Sequence, residues 1–198
     1  MKANVNPFRS SSVEQIRYRL EVDALEALVD HALQEPCSCL LGPKGTGKTT
    51  LLEDLEPLLQ QRGFTTHWCR LNLDSTQQER RNVTTQIQEL VPQQVCLFDG
   101  AEVLNFWQWR RICRTARSNG STLIATLHHK RGVPILLRTQ PDWPLVHQFV
   151  HQLSGDHYSE PLREHAEQAF KINRGNMREV FRACYLALAQ ENPHESEK

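Results

Sequence analysis

Gly42-Pro43-Lys44-Gly45-Thr46-Gly47-Lys48-Thr49 meets G-x-x-x-x-G-K-[ST] at every fixed position, and its flanks decide the fold. Ahead of it, Cys37-Ser38-Cys39-Leu40-Leu41 is short and apolar enough for a buried strand. Behind it, Thr50-Leu51-Leu52-Glu53-Asp54-Leu55 spaces its leucines for a helix, so the loop joins a strand to a helix. Gly42, Gly45 and Gly47 let the backbone close around a polyphosphate with its N–H groups pointing inward. The positive end of the helix adds to that field. Lys48 would reach the β- and γ-phosphates, and Thr49 would ligate Mg²⁺ through its hydroxyl. The stretch from Gly42 through Pro43, Lys44, Thr46 and on to Thr50 is read as the cradle for a nucleotide's phosphates.

Outward from the loop, strands alternate with helices. The loop helix runs to about Gln61 and ends at Arg62-Gly63, and Phe64 to Leu71 reads as a strand. Asp74-Ser75-Thr76 caps a polar helix to about Leu90; Val95-Cys96-Leu97-Phe98 is a strand too apolar to be half exposed. Asn105 to Arg117 is helical, with Phe106, Trp107, Trp109 and Ile112 forming a heavy apolar face of the kind that enters a core. Thr122 to Leu127 is another strand, and Pro134 to Thr139 is a fifth strand or an extended connection. This alternation over residues 37–139 is the pattern of right-handed βαβ units in a parallel sheet. On the near side, Val13, Ile16, Leu20, Ala24, Leu25, Leu28, Val29 and Leu33 predict one or two amphipathic helices. After Pro141 three helices follow without strands, at 145–153, 162–172 and 177–188, and the tail 192–198 is polar. The expected domains are a core at 1–140, a C-terminal helical lid at 141–190 and a tail at 191–198.

Bulk properties narrow the class. The 198 residues carry 23 basic and 23 acidic side chains, so charge alone neither calls for nucleic acid nor forbids it. Arg110, Arg111, Arg114 and Arg117 recur at helical spacing, as a solvated face does. The six cysteines include no C-x-x-C pair, and three of them lie in the expected apolar strands, which fits buried free thiols in a reducing cytosol. The opening Met1-Lys2-Ala3-Asn4-Val5-Asn6-Pro7-Phe8 has no apolar run of the signal-peptide kind, and no stretch nears the roughly 20 apolar residues of a membrane span. A soluble, cytoplasmic protein is expected.

A nucleotide site that holds Mg²⁺ needs a carboxylate at the end of a strand beside the loop strand. Asp99, directly after Val95-Cys96-Leu97-Phe98, meets that need, although Asp99-Gly100 would also serve as a plain turn. Thr49 and Asp99 are thus the expected metal residues. Ala125-Thr126-Leu127-His128-His129 ends the next strand; there Thr126 or His128 could hydrogen-bond the γ-phosphate or the attacking water. The two adjacent histidines have no acidic or thiol partner nearby in sequence. His147 and His151, four apart on an expected helix, have metal-compatible spacing but no further ligand and are read as surface residues.

The stretch Asn173-Arg174-Gly175-Asn176-Met177-Arg178-Glu179 resembles the Gly-[Asn/Asp]-x-Arg helix start in the lid of AAA+ ATPases, although an ordinary αα-hairpin would also read this way. Residues 37–185 together resemble AAA+ and STAND-related P-loop ATPases, including the accessory ATPases of secretion and transposition whose opening is similar to Asn6-Pro7-Phe8. The resemblance implies an α/β P-loop NTPase with a parallel five-stranded sheet of order 5-1-4-3-2, flanked by helices and carrying a small C-terminal helical lid. It implies ATP and Mg²⁺ as cofactors, Thr126 or His128 in the sensor 1 position and Arg178 as the sensor 2 arginine. Many such ATPases place a Glu directly after the Asp. Here Gly100 stands instead, and Glu102 is the nearest carboxylate able to orient water; Asp99-Gly100-Ala101-Glu102 is similar to a variant of nucleotide switches. Lys48, Asp99, Glu102, Thr126 and Arg178 are the expected catalytic set. Arg131 and Arg138 are the candidates for trans action on a neighbouring copy.

The implied function is an ATPase that drives a conformational or partner-binding switch, with an unidentified protein partner and a possible homo-oligomer. A P-loop kinase acting on a small molecule and a non-hydrolysing, nucleotide-dependent interaction module are the alternatives. The chain has no Asn-Lys-x-Asp or Thr-Lys-x-Asp motif of the kind that reads guanine.

Overall fold

A computed structural model describes residues 5–13 and 20–190. Ile16 of the N-terminal helical pattern, the first four residues and the polar tail lie outside the described residues. The helices are α1 (Ser10–Val13), α2 (Val22–Gln34), α3 (Lys48–Gln61), α4 (Gln77–Gln88), α5 (Phe106–Asn119), α6 (Trp143–Ser154), α7 (Glu160–Ile172) and α8 (Met177–Gln190). The strands are β1 (Cys37–Leu41), β2 (Thr65–Arg70), β3 (Gln94–Asp99), β4 (Thr122–Leu127) and β5 (Ile135–Arg138).

The strands form one five-stranded sheet, ordered β2-β3-β4-β1-β5, with every pairing parallel. This is the expected 5-1-4-3-2 order read from the other edge, and Ile135–Arg138 is a strand rather than a connection. Alternation along each strand sorts side chains to two faces. Leu40, Val95, Leu97 and Ile124 pack with α2 and α3 on one face; Cys39, Leu41, Cys96, Phe98, Leu123 and Ala125 pack with α4 and α5 on the other. Burial on both faces explains why the central strands read as continuous apolar runs. Each fully buried Leu or Phe there contributes about 1.5–3 kcal/mol.

Local chemistry sets the helix ends. Thr76 caps α4 and Asn105 caps α5, each completed by a side chain three residues on, Glu79 and Gln108, that returns a bond to the cap's own N–H. Gly63 and Gly120 follow α3 and α5 with φ of +82° and +66°, the left-handed conformation that ends a helix. Pro57 sits inside α3 without ending it.

Two compact units emerge. One comprises residues 18–42 and 47–139, which hold the sheet. The other comprises residues 140–198 with 43–46 and 1–17, so far as these are described. The second unit has its own core, built from Val146, Phe149 and Val150 of α6, Leu162 and Ala166 of α7, and Val180, Phe181, Cys184 and Leu188 of α8. Phe8 joins that core, its ring centroid 6.1 Å from that of Phe181. Asn6 is only 1% exposed: its amide donates to the Tyr185 carbonyl at 3.0 Å, and its Oδ1 accepts from the Phe8 N–H at 3.0 Å. Asn6-Pro7-Phe8 is therefore a hook onto α8.

Candidate functional site

In the sheet unit, the C-terminal ends of β1, β3 and β4 converge, because all three strands run the same way. Asp99 ends β3. Its Oδ2 accepts from the Thr49 hydroxyl at 2.9 Å and its Oδ1 from the Thr126 hydroxyl at 2.7 Å. Thr126 accepts in turn from the Gly100 N–H at 2.9 Å. The structure thus brings together three residues that lie far apart in sequence and fixes both carboxylate oxygens. Thr126 is 1% exposed and gives its only hydroxyl proton to Asp99, so it orients the carboxylate. Lys48, on the first turn of α3, is 6% exposed and its ammonium donates to the Gly42 carbonyl at 2.7 Å. Gly47 caps α3 with φ of +86°.

Gly100 departs from the acidic residue common at this position, and its surroundings explain why. Its φ is +83°, and a Cβ built there would lie 1.8 Å from the Leu71 carbonyl oxygen. That carbonyl is placed by the strand pairing that also bonds the Leu71 N–H to the Asp99 carbonyl at 3.0 Å. No side chain fits at 100. The chain instead makes a short 3-10 turn, Ala101–Val103, that carries Glu102. Glu102 Oε1 lies 3.4 Å from His128 Nε2, while its Oε2 is buried without a hydrogen-bond partner. His128 therefore has an acidic neighbour that the sequence placed out of sight, 26 residues upstream in a different element.

Arg131 holds this turn from outside. Its guanidinium donates to the Leu104 carbonyl at 2.6 Å and to the Glu102 carbonyl at 2.9 Å, and its own carbonyl accepts from the Trp109 indole at 3.1 Å. The side chain expected to reach a neighbouring copy is engaged within its own unit; Arg138 is exposed. On α5 the expected apolar face divides. Trp109 and Ile112 are buried, but Phe106 is 59% and Trp107 77% exposed.

In the helical unit, Pro43–Thr46 pack with the start of α8. The Met177 N–H donates to the Gly45 carbonyl at 3.2 Å, and the Thr46 hydroxyl to the Pro43 carbonyl at 2.8 Å. Asn176 caps α8 by accepting from the Arg178 N–H at 3.1 Å. Gly45, at φ of +76°, lies so close beneath that cap that a Cβ would stand 2.1 Å from Asn176 Oδ1. The helix bearing Arg178 thus begins on the loop tip, and Arg178 itself is exposed. His147 donates to or accepts from the Tyr158 hydroxyl at 2.6 Å and stacks on Trp143; His151 packs against Tyr158. The pair belongs to the packing of this unit, and among the described residues no three or more His, Cys, Asp or Glu side chains gather as a metal-ligand group.

The donor set at the end of β3 consists of hydroxyl and carboxylate oxygens beside a buried ammonium. Hard oxygen donors suit Mg²⁺, and a left-handed glycine loop leading into a helix N-terminus suits phosphate. The residues present fit both.

No family model and no curated protein matches the chain. Solved structures do. A DNA replication initiation factor aligns with a TM-score of 0.61 at 13% identity, over 90% of this chain and 64% of that one. DnaA from Aquifex aeolicus bound to AMPPCP aligns with a TM-score of 0.59 at 13% identity, over 93% of this chain and 65% of that one. The chain spans just under two thirds of either neighbour. These likenesses show the fold, the one that AAA+ P-loop ATPases share. Among the described residues no helix is long and apolar enough to cross a membrane.

Proposed function

We propose that this chain binds ATP with Mg²⁺ and hydrolyses it, using the nucleotide state to change a helical lid and, through it, a protein partner or a second copy in the cytoplasm. The observation that carries the reading is the bonded series Thr49–Asp99–Thr126 beside a phosphate-loop lysine. Thr49 and Asp99 would hold magnesium, whose chemistry there is to neutralise charge on the β- and γ-phosphate oxygens. Lys48 would bind the same phosphates, with the loop N–H groups and the α3 N-terminus around it. Glu102, with an oxygen lacking any donor, is the group able to accept from a water. Arg178, on the first turn of α8, would read the γ-phosphate and relay its loss to the lid. The alignment with an AMPPCP-bound DnaA supports ATP as the nucleotide.

A second reading, a nucleotide switch that hardly hydrolyses, is favoured by Gly100, where no carboxylate fits. Phosphate release from Mg·ATP by the full chain separates the two. ATPase activity predicts release by the wild type and loss of nucleotide binding in Lys48→Ala. Glu102→Gln should bind ATP normally but turn over about a hundredfold more slowly. Tight ATP binding without release would establish the switch. A wild type that binds no ATP would overturn both.

A further inference from the structure

Away from the proposed nucleotide site, α5 and the chain from Lys130 to Pro134 border an open pocket of about 650 Å³. Two cysteines line it. Cys37, at the start of β1, is 5% exposed, and Cys113, on α5, is half-buried. Their sulfurs stand 2.6 Å apart and both are free thiols. Arg110, Arg114, Arg117 and Lys130 line the same pocket, and all four are exposed. The arginines follow from helical spacing, since positions 110, 114 and 117 fall on one face. α5 contains no acidic residue, and none of the four cations forms an ion pair among the described residues.

We propose that this pocket is a dithiol site that reacts with small disulfides bearing carboxylates. The cations gather the anionic reactant, Cys113 attacks it and Cys37 resolves the product. Exchange proceeds by attack of a thiolate on a disulfide sulfur. The Cys113 thiolate forms a bond to one sulfur of the reactant, whose S–S bond breaks and releases one thiolate. Cys37 then loses its proton to solvent and attacks the Cys113 sulfur, releasing the second thiolate. The protein's dithiol is oxidised by two electrons to a disulfide joining α5 to β1, and the reactant is reduced to two thiols. The hydrogen bond with Cys113, and after it burial, hold the Cys37 thiol well above its ordinary pKa, which leaves Cys113 as the first nucleophile.

A second thiol pair makes the contrast. Cys69 and Cys96 also interact, but they are 3% and 1% exposed and neither lines the pocket that the four cations share. Access and charge, rather than proximity, single out the pair at Cys113.

The test uses the reduced full chain and two coloured probes, dithiobis(nitrobenzoate), a dicarboxylate disulfide, and uncharged dithiodipyridine. The wild type should release two thiolates per chain in a fast phase with either probe. Arg114→Gln with Arg117→Gln should slow the dicarboxylate reaction about tenfold and leave the dipyridine reaction unchanged. Cys37→Ser should stop after one released thiolate, with the mixed disulfide visible by mass. Cys113→Ser should lose the fast phase. Equal slowing of both probes in the arginine variant would overturn the anion-gathering role. A fast phase surviving Cys113→Ser, or a wild type that stalls at the mixed disulfide, would overturn the dithiol site. The arginines are exposed, so their replacement keeps the comparison informative even where a cysteine variant folds poorly.

Discussion

The strand end at Asp99 and the turn that carries Glu102 are neighbours in sequence, yet they are built on opposite terms. At the strand end both carboxylate oxygens accept from hydroxyls, one from α3 and one from β4, and the backbone is paired with β2 at Asp99 and with both neighbours up to Phe98. In the turn, one carboxylate oxygen faces a histidine at 3.4 Å and the other is buried without a hydrogen-bond partner. A fully bonded carboxylate has little left to do except hold its place and its charge, which suits a group that orients a cation. A buried acceptor without a donor is costly to keep, at about 1–3 kcal/mol, and is ready for a polar guest. On the proposed reading, the difference assigns fixing and reacting to separate residues, with Gly100 as the bend between them.

Removing that bend should have the largest effect. Gly100→Ala must hold φ of +83° and place a methyl 1.8 Å from the Leu71 oxygen, so strand pairing or turn has to yield. The expected loss is about 3–4 kcal/mol in denaturant unfolding. Gly63→Ala is the control: it has φ of +82° but nothing within 4 Å, and should lose only about 1 kcal/mol. Equal losses would mean that the Leu71 contact is soft and that the bend could accept a side chain.

The next prediction breaks the well-bonded half. Thr126→Val keeps the shape but removes the donor to Asp99 and the acceptor for the Gly100 N–H. Stability should fall by about 2 kcal/mol, because two buried groups lose their partner. With the carboxylate no longer oriented, Mg²⁺-dependent phosphate release should fall roughly tenfold, while binding of ATP without Mg²⁺ stays as it was. An equal loss in both would show that Thr126 supports the loop in general and not Asp99 in particular.

These regions also differ in how far the sequence revealed them. The loop and the alternation of strand and helix were legible because each rests on local spacing or fixed glycines; the sheet order was available only through the resemblance that those motifs carry. The α4 cap was legible in the same way; the α5 cap was not read, although Gln108 follows Asn105 at the spacing by which Glu79 follows Thr76. The exposure of Phe106 and Trp107 was missed, because all four large apolar residues of α5 were read as one core-facing set. At 100° per residue Trp107 falls opposite Trp109, and the buried stripe runs through Trp109, Ile112 and Ala116. What escaped depends on contacts between distant segments: the Leu71 carbonyl that makes Gly100 necessary, the Asn6 hook on Tyr185, and the meeting of Cys37 with Cys113. No periodicity encodes such contacts, because the topology alone creates them.

The smallest expected effect sharpens the other half. Arg131 grips the turn through two carbonyls, those of Leu104 and Glu102, with a planar fork that a lysine cannot reproduce. Arg131→Lys keeps the charge and one bond, so unfolding should shift by only about 1 kcal/mol. The more telling readout is kinetic. If the grip positions Glu102, phosphate release should slow about threefold with ATP affinity unchanged, since a slightly misplaced base weakens chemistry before binding. Should turnover stay level while stability drops, the grip serves packing alone, because the indole of Trp109 bonds to the same residue's carbonyl and joins the turn to α5. Loss of ATP affinity would contradict both views, for Arg131 touches neither the phosphate loop nor Asp99 through any bond described among these residues.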